Sequence, residues 1–217
     1  MIWNWEYAAD ILPVLLEHFV RYSLVATLLG SVLAAVLGLV FAIVRYVRVP
    51  VLAPLTTGFI EFVRSTPLLV QLFFLFYVLP GFGITMSPLV TGVLALGVHY
   101  ACYYAEVYRA GIDGVPKGQW EATTALSIPA RYTWQNIVLP QALRRVLPAL
   151  GNYAVSMFKE TPFLALITVP ELVQTASSLG SRNFRYIEPF TIAGLIFLLA
   201  SYPTALALRK MENRLGQ

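Results

Sequence analysis

The 217 residues are 58% hydrophobic and only 12% charged, with a mean hydropathy of +0.71. A soluble domain carries roughly 25% charged residues, so this chain has too few polar side chains to solvate a globular surface and its solvent is lipid. The net charge of +4 is scattered in short segments between apolar runs rather than gathered into a patch, which argues against nucleic acid, and the lone Cys102 rules out an intrachain disulfide and a cysteine metal cluster.

Residues 1-20 mix Trp3, Trp5, Tyr7, Ile11, Leu12, Leu15 and Leu16 with Glu6, Asp10 and Glu17. The pattern predicts a short amphipathic helix lying at the outer interface, where aromatic rings favour headgroup depth. The basic n-region of a cleaved leader is missing. The remainder, 21-217, reads as a single all-α polytopic domain. A helix needs about 20 apolar residues to cross a bilayer core, and five runs qualify: Tyr22 to Val44, Leu55 to Leu79, Pro88 to Tyr108, Val146 to Val169 and Phe190 to Leu208. The polar stretch from Glu171 to Glu188 reads as an outer loop or a short surface helix.

Five spans put the two termini on opposite sides, and positive charge chooses which. With the first loop inside, the cytoplasmic set is Arg45, Arg48, Arg109, Lys117, Arg131, Arg144, Arg145, Arg209, Lys210 and Arg214, against Arg21, Arg182 and Arg185 outside. The N-terminus is therefore expected outside and the C-terminus in the cytoplasm. No internal repeat is visible, which counts against a complete secondary carrier. The chain also looks too small to enclose a pathway alone, so it should oligomerise.

The longest inner connection, 109-145, holds the most information. Gly118 and Gln119 precede a short helix from about Trp120 to Leu126, and Pro129 predicts a turn near Ser127 to Ala130. A second helical piece, Arg131 to Val138, should stop before Pro140. Two short helices joined by a tight turn make a projecting knob. Small residues at 122, 123, 125 and 127 would let a partner's backbone approach closely, and Glu121 near a helix N-terminus could pair with a partner's Arg.

This stretch resembles the inner-membrane permease subunits of bacterial ABC importers, whose signature is Glu-Ala-Ala, three residues, Gly, nine residues, Ile-x-Leu-Pro. Here Glu121-Ala122-Thr123, Ser127 and Ile137-Val138-Leu139-Pro140 stand at that spacing, with Thr123 replacing the second Ala and Ser127 the Gly. A left-handed turn at Ser127 would carry some strain. The segment Glu61-Phe-Val-Arg-Ser-Thr-Pro-Leu-Leu-Val-Gln71 is similar to the second-span motif of the polar amino-acid permeases. Tyr104-Ala-Glu-Val-Tyr-Arg-Ala-Gly111 is similar to their third-span exit. Lys159-Glu160-Thr161-Pro162 stands where they have Lys-Asp-Thr-Ser.

The resemblance covers nearly the whole chain and implies a fold like the type I ABC importers in a bacterial inner membrane. It implies ATPase coupling through Gly118, Gln119, Glu121, Ala122, Thr123, Ser127, Ile137, Leu139 and Pro140. The implied partners are a cytoplasmic ATPase dimer that binds the ATP and Mg, a second permease subunit (the same chain or a homologous one) and an extracytoplasmic solute-binding protein. This chain then needs no cofactor. The outer segment Gly180 to Pro189, Ser201-Tyr-Pro203 and the aromatic start are similar to the ectoine/hydroxyectoine permeases within the family.

Each ion inside a membrane needs a partner or a wet cavity. Glu61 and Arg64 are three apart and can pair, whereas Lys159 and Glu160 point in different directions. Thr66-Pro67 and Thr161-Pro162 each weaken a helix beside those charges. Two broken, charged spans near the midplane make a plausible binding site, with Glu61, Arg64, Ser65, Thr66, Pro67, Gln71, Lys159, Glu160, Thr161 and Pro162 as its residues. In that reading Arg64 faces a substrate carboxylate, Glu160 or Glu61 a cationic group, and Gln71 supplies a neutral contact. The other reading, that both charged pairs only hold helices together, stays open.

His99 among Tyr100, Tyr103 and Tyr104 reads as a core hydrogen bond, His18 carries no constellation, and Glu106 with Arg109 reads as a positional pair. Gly30, Gly38, Gly92 and Gly97 read as helix-packing positions. No catalytic constellation, phosphate-binding loop or metal-ligand cluster is visible. Two other function classes remain: a small ion-coupled carrier using Glu160 and Lys159 as a proton relay, and a non-transporting membrane anchor. Neither needs the knob.

Overall fold

The structure, a computed structural model, describes residues 3–215, and every element in that range is helical. The chain ends of the two segments expected at 1-20 and 21-217 lie outside the described residues. Helix α1 (Trp5–His18) is capped by the Asn4 side chain, which accepts from the Tyr7 amide. It runs through a π-helical turn, Phe19–Leu24, straight into α2 (Val25–Tyr46), giving one 42-residue helix. The segment expected as a separate interfacial helix is thus continuous with the first span. Its Ala8, Ile11 and Leu15 face is buried against α9 (Leu172–Asn183) and α10 (Ile187–Leu215), not laid on headgroups. The amphipathic pattern is real, but a protein surface supplies the apolar partner.

Helix α2 buries Ala26, Gly30, Ala34, Gly38 and Ala42, one residue per turn, and leaves Leu28, Leu29, Val32, Val36, Leu39, Val40 and Ile43 exposed to lipid. That inverts the soluble pattern, as packing between spans requires, because lipid is as apolar as leucine and only close approach distinguishes a partner helix. The small face packs on α5 (Pro88–Asp113). A Cβ at Gly38 would sit 2.7 Å from the Tyr104 Cβ and 2.9 Å from the Ala101 carbonyl, so a larger residue would force the helices apart. The glycines expected to pack helices do so.

Three helices are long and apolar enough to cross a membrane unbroken: 5–46, 88–113 and 187–214. Two bent helix pairs are also apolar enough, so the total is up to five when each pair counts as one span. In the first, α3 (Leu52–Arg64) and α4 (Leu68–Phe73), with its π and 3-10 continuation to Phe82, meet at 104° across Ser65-Thr66-Pro67. In the second, α8 (Leu139–Glu160) winds into a 3-10 segment, Thr161–Ile167, at Pro162, and α9 leaves at 49°. The broken spans are the two in which Pro67 and Pro162 stand beside charge. The stretch expected as an outer loop or surface helix is the 12-residue α9, seated between α1 and α10.

Between α5 and α8 the knob forms from α6 (Lys117–Ala125) and α7 (Ala130–Tyr132). One boundary differs from expectation. The second piece does not stop before Pro140 but continues through a π-helical turn, Thr133–Val138, into α8. Proline lacks the donor that an interior helical position needs. A wider turn just before it, and a Gln141 side chain that donates to the Ile137 carbonyl at 2.9 Å, let the helix pass.

Candidate substrate pathway and coupling surface

The first break follows from one missing N–H. In a continuous helix the amide of residue 67 would bond the carbonyl of Val63, and Pro67 has none. Gln71 Nε2 takes its place at 2.7 Å, and also donates to the Thr66 carbonyl at 3.1 Å and the Thr66 hydroxyl at 2.8 Å. The Thr66 hydroxyl donates back to Phe62 and Val63 carbonyls at 3.1 and 3.2 Å. Gln71 Oε1 then meets His99 Nδ1 on α5 at 3.1 Å. Gln71, expected to be a neutral substrate contact, holds the elbow through its amide. His99 makes the core hydrogen bond expected of it.

The elbow leaves Glu61 and Arg64 outside it. They approach to 3.8 Å with 62% and 35% of their side chains exposed. A pair this loose is worth about 0–1 kcal/mol, and both residues belong to α3, so it joins no two helices. The Arg64 guanidinium lies 5.3 Å from the Tyr103 ring centroid, within cation–π range. Ser65 is exposed at the helix end.

At the second break, Tyr100 donates to Glu160 Oε2 at 2.8 Å, tying α8 to α5. Lys159 is exposed and makes no ion pair among the described residues, so the neighbours 159 and 160 diverge as expected. Thr161 is fully buried and its hydroxyl donates to the Phe158 carbonyl at 2.8 Å; Pro162 opens the 3-10 segment. Tyr77, on the continuation of α4, donates to the Leu166 carbonyl at 3.0 Å and joins the two breaks directly.

Neighbouring residues of α5 therefore reach both breaks, His99 through Gln71 and Tyr100 through Glu160. Between them Tyr100, Tyr103 and Tyr153 form a ring cluster with centroids 5.4 to 6.2 Å apart. This aromatic wall runs from beside Arg64 to Glu160. Sequence reading passed over Tyr153 altogether and gave Tyr100 and Tyr103 no role. The signal was the spacing of 99, 100, 103 and 104 on one helical face.

On the inner side, Glu106 accepts from Arg109 at 2.9 and 3.1 Å, as expected, and also from Arg45 at the end of α2, which the sequence did not suggest. In the knob, Trp120 and Trp134 meet edge to face at 5.3 Å, and Trp134 meets Tyr46 of α2 at 5.1 Å, so three rings anchor the knob to the membrane domain. Gly118, Gln119, Glu121, Ala122, Ser127, Leu139 and Pro140 are exposed, and Ile137 is half-buried. Thr123 departs from expectation: it is 6% exposed, and its hydroxyl donates to the Trp120 carbonyl at 2.8 Å. It packs the knob from within. Leu126, 73% exposed, takes the tip instead. Ser127 holds the left-handed turn, with φ of 52°.

The outer end is fixed by polar contacts the sequence did not reveal. Glu171, fully buried, caps α9 by accepting from the Val173 and Gln174 amides at 2.9 and 2.7 Å. His18, read as isolated, lies 2.7 Å from the Pro170 carbonyl. Glu188 is paired with Arg185 and accepts from the Asn4 amide at 3.0 Å, while Gly180 lies against the Tyr186 ring. The segment that resembles ectoine permeases thus serves packing at the outer end.

Comparison with known proteins agrees with this geometry. The family described as binding-protein-dependent transport system inner membrane component matches residues 19–217. A probable amino-acid ABC transporter permease of Sinorhizobium fredii is 43% identical over 209 residues, 96% of this chain and 90% of that protein. The L-cystine transport system permease TcyB of Bacillus subtilis is 32% identical over 98% of this chain and 92% of its own length. Among solved structures, an amino acid ABC transporter crystallised with histidines superposes with a TM-score of 0.92 at 29% identity, covering 99% of this chain and 100% of that one. The inward-facing MetNI methionine transporter, at 19% identity and a TM-score of 0.75, shares the fold.

Proposed function

Since the chain belongs to the family of binding-protein-dependent transport system inner membrane components, as a permease subunit of an amino-acid ABC importer, we propose that it carries a zwitterionic amino acid or amino-acid derivative of the ectoine type past Arg64 and Glu160. The observation that carries this reading is the pairing of opposite charges with one aromatic wall. Arg64, loosely held and partly exposed, offers a guanidinium to a carboxylate. Glu160, at the far end of the Tyr100–Tyr103–Tyr153 cluster, offers a carboxylate to a cationic group. Tyrosine faces beside Glu160 suit the cationic group of such a substrate. The ectoine resemblance lies in the outer packing segment, so the cargo reading rests on the charges rather than on that segment.

The knob gives the drive. Two partner ATPase subunits would dock on Glu121, Ala122, Leu126 and Ser127 of two permease copies, and the Trp120–Trp134–Tyr46 contacts would pass their motion to α2. A solute-binding protein would load the outer end. The test is ATP hydrolysis by the reconstituted complex. Arg64→Ala should abolish substrate-stimulated hydrolysis and leave basal hydrolysis and assembly intact. Loss of assembly would overturn the pathway role. Transport by this chain alone in liposomes would overturn the importer reading in favour of an ion-coupled carrier. Uptake of labelled ectoine against glutamine, cystine and arginine would decide the cargo.

A further inference from the structure

A cavity of about 550 Å³ opens where α2, α3 and α5 end at the inner face, lined by Arg45, Tyr46, Arg48, Ala53, Pro54, Thr57, Arg109 and Asp113. None of these residues belongs to the substrate pathway or to the exposed tip of the knob. Three arginines line it against one lining carboxylate, Asp113. Glu106 lies just beneath and accepts from both Arg45 and Arg109, while Arg109 also donates to Asp113 at 2.9 Å. These carboxylates fix Arg45 and Arg109 in place without cancelling the whole charge. The guanidinium of Arg45 bonds Glu106 through one nitrogen and keeps its other donors. Arg48 is exposed and makes no ion pair among the described residues. The rim is apolar: Val47, Val51, Leu52 and Leu55 are 52–69% exposed beside it, at the level where α2 and α3 leave the hydrocarbon.

We propose that this cavity binds the headgroup phosphate of an anionic phospholipid from the inner leaflet, with the acyl chains lying along the exposed valines and leucines of α2 and α3. A fixed basic pocket with an apolar flank at the cytoplasmic surface is the chemistry that selects an anionic lipid over a neutral one. A free phosphate or a nucleotide would use the arginines but not the flank. Tyr46 lines the cavity and also packs on Trp134 of the knob, so an occupied site would brace the base of the coupling element.

The experiment uses the permease–ATPase complex, equilibrated with mixed phosphatidylglycerol and phosphatidylcholine and then washed with neutral detergent. Retained lipid is counted by native mass spectrometry. The wild-type complex should hold phosphatidylglycerol in preference to phosphatidylcholine, and millimolar inorganic phosphate or ATP should not displace it. Arg48→Gln should weaken retention about fivefold, the effect of one basic residue near an anionic surface, and Arg48→Lys should keep most of it. Equal retention of both lipids by the wild type, or displacement by phosphate or ATP, overturns the proposal before any variant is made. Unchanged retention in Arg48→Gln, with an unchanged Tm in neutral lipid, overturns it as well.

Discussion

Replacing Gln71 by leucine keeps the volume of the side chain and removes the donor that substitutes for the missing amide of Pro67. Three acceptors and one His99 contact depend on that amide group. The Val63 carbonyl keeps a longer bond from the Thr66 hydroxyl at 3.2 Å. The Thr66 carbonyl and His99 Nδ1 lose the partners described here. A buried polar group left unsatisfied costs about 1–3 kcal/mol, but polar contacts between spans average only ~0.6 kcal/mol when measured by cycles. Two stranded groups therefore place the loss at about 2 kcal/mol. For a chain of this length that corresponds to a Tm lower by roughly 4–8 °C. The assay is thermal unfolding of the purified complex in nanodiscs, with the KM for transport measured on the same preparation. Gln71→Glu keeps the acceptor toward His99 and loses the donor, so it should fall nearly as far. An unchanged Tm with a raised KM would refute the reasoning and return Gln71 to the substrate.

A Cβ at Gly38 would press on the Tyr104 Cβ and a backbone oxygen, so Gly38→Ala should destabilise by about 1–3 kcal/mol, read as lost Tm; Gly58→Ala on α3, where nothing lies within 4 Å, should be neutral or better. Ser127→Gly relieves a left-handed residue, adds about 1 kcal/mol, and should preserve coupling, whereas Ser127→Val should separate hydrolysis from transport in a reconstituted assay. Glu121→Lys should lose co-purification with the ATPase at unchanged Tm, because Glu121 is exposed.

Composition and the spacing of apolar runs were enough to establish a polytopic helical chain of up to five crossings, because a bilayer of fixed thickness demands a fixed length of apolar helix. The same one-dimensional information located the first break and the change to 3-10 winding at Pro162, since a proline removes its donor whatever surrounds it, but not the 49° bend between Ile167 and Leu172. It also located the turn of the knob at Pro129, because turn chemistry is local, while the left-handed Ser127 was legible only through the family signature. Which polar groups met across the chain was decided only in three dimensions. Gln71 reads in sequence as one amide among apolar residues. The 104° elbow brings Val63 and His99 to it and gives a candidate ligand a staple's bonds. Thr123 reads as a small docking residue until the Trp120–Trp134 contact folds it inward. Tyr153 and Arg45 show nothing in their own neighbourhoods, because their partners lie on other helices. A helical pattern records which face is apolar; it does not record which helix that face will meet. The first helix carries the same lesson, for its amphipathic stripe called for an apolar partner and only the packing of α9 and α10 made that partner protein rather than lipid.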